Sequence, residues 1–225
     1  MGFEGYYCAL SLAIVAVRTA ENEPLKILRE NSPSRARHLA RYAAAASVIM
    51  TSMYAARLAR PDLLRCVGSL ATKLTKWDAV QDKKLHKMMC YIQTSLPYRQ
   101  VGFIGDPPSE LWLDLFTDAD HAGDREDMKS TSGTLLALRG PNTFFPLGAV
   151  SKKQTAQSHS TPESEIVAAD AAVRTVGIPA LDLWETILGR VPEMKLLEDN
   201  QATDRIIQTG KFPTLRHVKR SMGST

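Results

Sequence analysis

The spacing of apolar residues changes once along this sequence, and the change limits the folds that the chain can adopt. Between about residues 34 and 96 the apolar residues recur three and four positions apart, which is the spacing of an amphipathic helix. The segment GDPP at residues 105–108 reads as a turn. From residue 111 onward, short apolar runs alternate with turn signals, which is typical of strands. We therefore expect a helical first part and a second part that mixes strands with helices.

In the first part, residues 34–96 are rich in Ala, Leu, Met and Arg, which favour helices. Pro61 predicts a break within this helical region, and Pro97 predicts its end. The polar segment at residues 18–35 contains Pro24 and Pro33 and is expected to be a loop.

The second part predicts strands and helices in a fixed order, which is typical of an α/β domain. Pro146 interrupts the third strand and indicates an edge strand or a bulge. Thr161 is the expected N-cap of the helix after it, with Pro162 in the first helical position. The predicted elements are strands at 111–117, 133–140 and 143–153, a helix at 160–188, a strand at 193–200, and a helix at 201–210 that Gly210 ends.

Three acids occupy the ends of separate predicted elements. Asp118 closes the first strand, Asp199 closes the strand before the last helix, and Glu165 lies in the first turns of the helix between them. Carboxylates that converge repel one another unless a cation lies among them, and oxygen ligands suit Mg²⁺. An acidic group of this kind supports metal-assisted phosphodiester hydrolysis. Three separate surface or capping acids would give the same spacing, and spacing alone favours that second interpretation.

Charge is divided unevenly along the chain, whose net charge is +4. Residues 1–105 carry 15 Lys and Arg against 7 Asp and Glu, whereas residues 106–225 carry 13 against 17. A basic half beside an acidic half suits a polyanion held by one part and a metal site in the other, although scattered surface charge is the simpler explanation.

Cysteine usage and the apolar run near the start bear on the compartment. The three cysteines, Cys8, Cys66 and Cys90, show no close spacing, which argues against a disulfide framework and fits a reducing environment. The apolar run at residues 6–17 is short for a membrane span. We expect it to be a buried helix, with a membrane anchor as the minor alternative.

Several motifs in one order resemble a known family. They are LFTDADHAGDREDMKSTSGTLLAL, SKKQTAQSHSTPESEIVAADAA and EDNQATDRII, preceded by ARPDLLRCVGSLATKLTKWDAVQDKKLHKMMCYI. The first three resemble the ribonuclease H domain of Pol polyproteins from copia-type LTR retrotransposons, and the last is similar to the connection that follows the reverse transcriptase there. The resemblance covers about residues 50–220.

The resemblance implies a domain organisation and a fold. It divides the chain into an N-terminal segment of unclear role (1–35), a helical connection after a missing reverse transcriptase (36–105), and a C-terminally truncated ribonuclease H-like domain (106–225). That domain would have a mixed sheet of three antiparallel strands, extended by parallel strands and flanked by helices.

The implied activity is hydrolysis of the RNA strand of RNA–DNA hybrids, with Mg²⁺ or Mn²⁺ as cofactor. The resemblance assigns Asp118, Glu165 and Asp199 as catalytic metal ligands. Residues that are candidates for contacting the nucleic acid are Ser130, Lys152, Lys153, Gln154, Asn200 and Gln201. Implied partners are the hybrid and the reverse transcriptase part of the parent polyprotein, with no membrane. The implied location is intracellular, either cytoplasmic in a virus-like particle or nuclear.

The sequence departs from the family pattern in two places. Lys219 stands where the family has a fourth acid, and a cation there would repel metal. Asp204 could replace that acid only if its helix were turned unusually. No Y-x-D-D pair is present, so no polymerase activity is expected. A catalytically inactive, nucleic-acid-binding remnant of a Pol polyprotein is therefore the alternative to an active or impaired enzyme.

Overall fold

A computed structural model of the protein describes residues 33–123 and 128–210, with side chains of the first helix described from residue 42. The apolar run at residues 6–17 and most of the polar segment at 18–35 lie outside this part. The chain divides into two compact units, residues 1–100 and residues 101–225. None of the described helices is both long enough and apolar enough to cross a membrane.

The first unit is helical, as the spacing of its apolar residues predicts. Its helices are α1 (Pro33–Leu58), α2 (Leu64–Ala71) and α3 (Ala79–Thr94), with 3₁₀ turns at Pro61–Leu63 and Leu74–Lys76. Pro61 starts the first of these turns, which confirms the predicted break. The most deeply buried apolar side chains come from all three helices and the turn before α3, and include Ile49, Val67, Leu70, Trp77, Met88 and Ile92.

The start of α3 is set by its cap. The Asp78 carboxylate accepts hydrogen bonds from the backbone N–H groups of Val80 and Gln81, which would otherwise lack partners in the first helical turn. One turn further, Asp82 accepts from the indole N–H of the buried Trp77 at 2.7 Å. The two acids therefore fix both the start of the helix and the position of the aromatic ring before it.

An ion pair at Arg60 joins the end of α1 to the end of α3. The guanidinium donates to both carboxylate oxygens of Asp62, at 3.0 and 2.7 Å, and to the Ser95 hydroxyl at 2.7 Å. The Tyr91 hydroxyl donates to Asp62 as well, at 2.9 Å. The hydrogen bond from Arg60 holds the pKa of Asp62 below its ordinary value. The residues before and after Pro61 therefore have a structural role within this unit.

We predict that Arg60→Ala lowers the free energy of unfolding of the first unit by about 1–2 kcal/mol. The substitution leaves Asp62 and Ser95 without their charged donor, although the partial exposure of Asp62 limits the cost. Hydrogen exchange of α3 amides in the full chain measures the effect, since a chain of two units need not unfold in one step. The exposed Arg57→Ala is the control, and equal protection in both variants would contradict the prediction.

The second unit is an α/β domain built on a four-stranded mixed sheet. Its spatial strand order is β3-β2-β1-β4, in which β1 is antiparallel to β2 and parallel to β4. The elements are β1 (Trp112–Asp120), β2 (Thr131–Gly140), β3 (Thr143–Lys153), α4 (Thr161–Ala172), α5 (Ile178–Leu188), β4 (Met194–Leu197) and α6 (Gln201–Thr209). The predicted order of strands and helices is thereby confirmed.

The edge strand and its irregularity also agree with the sequence. β3 pairs only with β2 within the sheet, and the register shifts where Leu136 and Ala137 of β2 face Gly148 and Pro146. One residue, Leu147, is therefore extra on the β3 side, which is the arrangement of a bulge. Proline lacks the N–H that a regular ladder needs, and this explains why the bulge lies beside Pro146.

Element ends differ from the prediction in two informative places. β1 continues to Asp120, beyond the predicted end near Asp118, because pairing with β2 extends through Thr131. The N-cap of α4 is Ser160, whose side chain accepts from the N–H of Glu163 at 3.4 Å, and the expected cap Thr161 is the first helical residue. Both serine and threonine can cap a helix, so spacing from Pro162 did not distinguish them.

The core of the second unit lies on one face of the sheet. Leu113 and Leu115 of β1 are fully buried there, and α4 and α5 cover them. Between the two helices, a π-helical turn at Val173–Gly177 interrupts the predicted continuous helix. A Cβ at Gly177 would lie 2.8 Å from the sulfur of Met194, so glycine permits this turn to approach the sheet closely.

Candidate active site

The acids of β1 lie on the sheet face opposite the buried leucines. Because side chains two apart in a strand share a face, Asp114, Asp118 and Asp120 point the same way along β1. Asp114 is buried and accepts from Arg139 at 3.1 Å and from the Trp112 indole at 2.9 Å. Asp118 is exposed near the carboxyl end of the strand. Of the two, Asp114 is neutralised by an internal partner, and Asp118 faces solvent.

Glu165 approaches the same end of β1 from the helix. It lies in the second turn of α4, its side chain is only 4% exposed, and one oxygen accepts from the backbone N–H of Ala119. Its other carboxylate oxygen, Oε2, is buried and has no hydrogen-bond partner among the residues that the structure describes. A buried carboxylate oxygen without a donor is costly unless a proton or a cation satisfies it.

The carboxyl end of β4 contributes two adjacent acids. β4 runs parallel to β1, with Leu197 beside Phe116, so both strands end on the same side of the sheet. Asp199 is exposed there. Glu198 accepts from the Thr117 hydroxyl at 3.0 Å and from the backbone N–H of Asn200 at 3.1 Å. These two bonds tie the tip of β4 to β1.

The acids influence one another electrostatically at Glu165. Burial is the main cause that raises the pKa of Glu165 from 4.5 to about 7. The negative charge of Glu198 raises the pKa further, followed by that of Asp118 and, more weakly, Asp199, while the hydrogen bond from Ala119 opposes the shift. The charges of Asp118, Asp199 and Glu198 therefore all act on the buried Glu165, although Asp118 points from the sheet face opposite the one that α4 covers. Sequence reasoning did not single out Glu198.

The chemistry of these side chains fits a hard divalent cation. Among residues 33–123 and 128–210, no group of three or more His, Cys, Asp and Glu side chains is already arranged as metal ligands. The donors themselves are all carboxylates, which Mg²⁺ and Mn²⁺ prefer, and Glu165 Oε2 has an unused lone pair. A cation among them would remove the repulsion that raises the pKa of Glu165.

Two of the predicted nucleic-acid contacts are buried and bonded inside the domain. Ser130 is fully buried and its hydroxyl accepts from the N–H of Ala122. Gln154 is 7% exposed, and its side-chain amide donates to the Ser132 hydroxyl at 3.0 Å and to the Ser164 carbonyl at 2.9 Å. Because Ser164 precedes Glu165, Gln154 braces the end of β3 against the helical turn that carries the buried acid.

The other predicted contacts lie at the surface around the strand ends. Lys152 is exposed and Lys153 is half-buried at the end of β3. Asn200 caps α6 by accepting from the N–H groups of Ala202 and Thr203, and Gln201 is exposed in the first turn. The capping bonds occupy the Asn200 side-chain oxygen.

The substitute for the fourth acid is engaged elsewhere. Asp204 is exposed on α6 and accepts from the side-chain amide of Gln208 at 2.9 Å. Lys219, which stands at the expected position of that acid, lies outside the described residues.

A signal for Glu198 was present in the sequence. It follows a short apolar strand directly and precedes Asp199, so both acids occupy a strand end beside β1. The contact with Thr117 depends on the parallel register of β4 with β1, and periodicity does not specify register.

Comparison with known proteins identifies a relative. No known family model matches the chain, and no solved structure matches it significantly. The chain is 31% identical over 144 residues to secreted RxLR effector protein 161 of Plasmopara viticola, an alignment that spans 64% of this chain and 92% of the relative. With that identity over nearly the whole relative, the chain belongs to the same protein family as secreted RxLR effector protein 161.

Proposed function

We propose that the second unit is a ribonuclease H-like domain that hydrolyses the RNA strand of RNA–DNA hybrids with a divalent cation. The observation that carries the proposal is the buried carboxylate oxygen of Glu165, which has no hydrogen-bond partner among the described residues. Burial and the acids at the ends of β1 and β4 raise the pKa of this carboxyl group. The mixed sheet supports it, because three antiparallel strands are followed by a helix and a parallel strand, as the resemblance implies.

In this proposal Asp118, Glu165 and Asp199 hold the cation. When bound, Mg²⁺ or Mn²⁺ would polarise the phosphodiester and favour ionisation of water at neutral pH. The chain's own residues hold the acids in place: α4 carries Glu165 against β1, Gln154 braces that helical turn, and the parallel pairing brings the ends of β1 and β4 together.

The strand register also supports binding of a polyanion beside the acids. Ala119 of β1 pairs with Ser132, which pairs with Lys152, and Asp120 pairs through Thr131 with Lys153. Lys152 and Lys153 therefore lie two strand spacings, or about 10 Å, from Ala119 and Asp120 at the end of β1. Phosphates of a nucleic acid backbone can bridge such a distance, since recognition of hybrids depends on shape, phosphates and 2′-hydroxyls.

Asp118→Asn tests the hydrolytic proposal in the full chain. We expect wild-type protein to cleave the RNA strand of a hybrid in Mg²⁺ or Mn²⁺, and Asp118→Asn to lose roughly 100-fold or more of that rate. Asp182→Asn, on the exposed side of α5, is the matched control and should cleave normally. A wild-type rate that Asp118→Asn leaves unchanged would contradict the proposed site.

An inactive nucleic-acid-binding remnant is the second candidate. The absence, within the described residues, of side chains already arranged as metal ligands favours it. Hybrid binding by wild type without cleavage in either cation would support this candidate and exclude hydrolysis. The relative is named as a secreted effector, a name that specifies no reaction and so favours neither candidate.

A further inference from the structure

The first unit carries a basic surface that takes no part in the proposed hydrolysis. On α3, Lys83 and Lys84 lie four and three positions before Lys87, so the three side chains share one face of the helix. All three are exposed. We propose that this lysine face, defined by Lys83, Lys84 and Lys87, binds the phosphate backbone of a nucleic acid duplex. The inference goes beyond the proposed function, because it requires neither a divalent cation nor hydrolysis.

The charges of the lysine face are not balanced by ion pairs. Within the part of the chain that the structure describes, no acid forms an ion pair with Lys83, Lys84 or Lys87. Like charges three and four positions apart repel one another and weaken a helix slightly, so the stability of α3 does not account for them. An external polyanion would remove this repulsion.

The acids of the same segment are held by other groups. Residues 42–100 carry nine Lys and Arg against three Asp and no Glu. Asp62 accepts from the Arg60 guanidinium, and Asp78 accepts from backbone N–H groups at the start of α3. Asp82, the acid within α3, accepts from the Trp77 indole and is not three or four positions from any lysine of the face. The lysine face is therefore positive.

The rest of α3 favours a duplex over a membrane or a single strand. A helix that binds membranes presents an apolar face to the lipid, whereas Met88 and Ile92 of α3 are buried within the unit. Single strands are bound by aromatic rings on which bases stack. The aromatic residue of α3 is Tyr91, whose hydroxyl donates to Asp62 and whose ring lies 5.8 Å from the Arg60 guanidinium. A phosphate backbone requires the cations alone.

The spacing of the lysines also suits a phosphate backbone. Lys83 and Lys87 are one helical turn apart, or about 6 Å along the axis. Each strand of B-DNA carries a phosphate for about every 3.4 Å of its axis, so neighbouring phosphates lie within reach of flexible lysine side chains. Phosphate contacts carry no sequence information. We therefore expect an RNA–DNA hybrid and a DNA duplex to depend on the lysine face to the same extent.

Fluorescence anisotropy of a labelled hybrid and a labelled DNA duplex, titrated with the full chain in EDTA at several salt concentrations, tests the inference. The triple variant Lys83→Gln, Lys84→Gln, Lys87→Gln retains good helix formers and should bind both duplexes about tenfold more weakly or worse at low salt. The slope of log affinity against log salt should become shallower by about 1 for each lysine replaced. Arg57→Gln, on the exposed side of α1, removes one charge from the same unit and should leave that slope unchanged.

Each outcome supports or overturns the lysine face. Wild-type affinity in the triple variant, equal changes of slope in Lys87→Gln and Arg57→Gln, or a wild type that binds neither duplex makes the inference wrong. Binding to vesicles that contain phosphatidylserine, without binding to either duplex, assigns the face to a membrane and also overturns it. If circular dichroism shows that the triple variant does not fold, the slope of Lys87→Gln decides.

Cleavage of the hybrid in Mg²⁺, measured separately, distinguishes this inference from the proposed function. Loss of cleavage in Asp118→Asn, with unchanged slopes in the lysine variants, overturns the lysine face and leaves hydrolysis standing. Shallower slopes in the lysine variants, with no cleavage by wild type, support the lysine face and overturn hydrolysis.

Discussion

Glu165→Gln is expected to abolish cation-dependent cleavage of hybrids and, at the same time, to stabilise the protein above pH 7. Cleavage should fall by roughly 100-fold or more, because the variant lacks the charged oxygen that would bind the proposed cation. Stability should rise because the native state no longer contains a buried carboxylate repelled by Glu198 and Asp118. Loss of activity together with a gain in stability is expected when a functional residue destabilises the native state.

The pH dependence of that stabilisation has a definite sign. Folding raises the pKa of Glu165 from 4.5 to about 7, so the wild type loses stability as pH rises from the unfolded to the folded value. The difference between variant and wild type should be near zero at pH 4 and complete by pH 8. We expect it to reach roughly 1–2 kcal/mol, less than full conversion of the shift, since exposed neighbouring acids are screened.

Denaturant unfolding at pH 4, 6 and 8 without divalent cations measures this effect. Glu185→Gln, on the exposed side of α5, is the control and should follow the wild type at every pH. A Glu165→Gln variant that is less stable than wild type at pH 8 would contradict the account of the buried acid.

Leu115→Ala should destabilise the second unit by about 3–4 kcal/mol. Leu115 is fully buried in β1, a central strand that pairs on both sides, and lies under the π-helical turn that Gly177 brings close. Removing most of the side chain leaves a cavity that strands fixed on both sides cannot close. Hydrogen exchange of β1 and β2 amides in the full chain reports the loss.

Leu183→Ala provides the matched comparison for that prediction. Leu183 lies on α5 in the same unit, but its side chain is 58% exposed. The same chemical change there should alter stability by less than about 0.5 kcal/mol. Equal losses in the two variants would contradict the position of the core on the α4 and α5 face of the sheet.

Much of the second unit was predictable because its signals are local. Pro146 marked the bulged edge strand and Gly210 ended the last helix, each through backbone chemistry that acts within a few residues. The order of strands and helices followed from the change in apolar spacing.

The remaining features depend on contacts between distant residues. β1 extends to Asp120 because β2 pairs with it, and the contact of Glu198 with Thr117 requires a particular parallel register. Gln154, predicted to contact nucleic acid, instead bonds to Ser164 because β3 ends beside the start of α4. Gly177 allows a π-helical turn within a run that reads as one helix. None of these follows from composition or periodicity.

The protonation of Glu165 tests the central claim most directly. The proposed site needs a buried carboxylate whose repulsion by the neighbouring acids a bound cation would remove. A ¹³C NMR titration of the Glu165 side chain, assigned by comparison with Glu165→Gln, measures it with and without Mg²⁺. We predict a midpoint near pH 7 in the absence of cation, as burial and the neighbouring acids require, and a clearly lower midpoint when Mg²⁺ is added. A midpoint near 4.5 that Mg²⁺ does not move would contradict it.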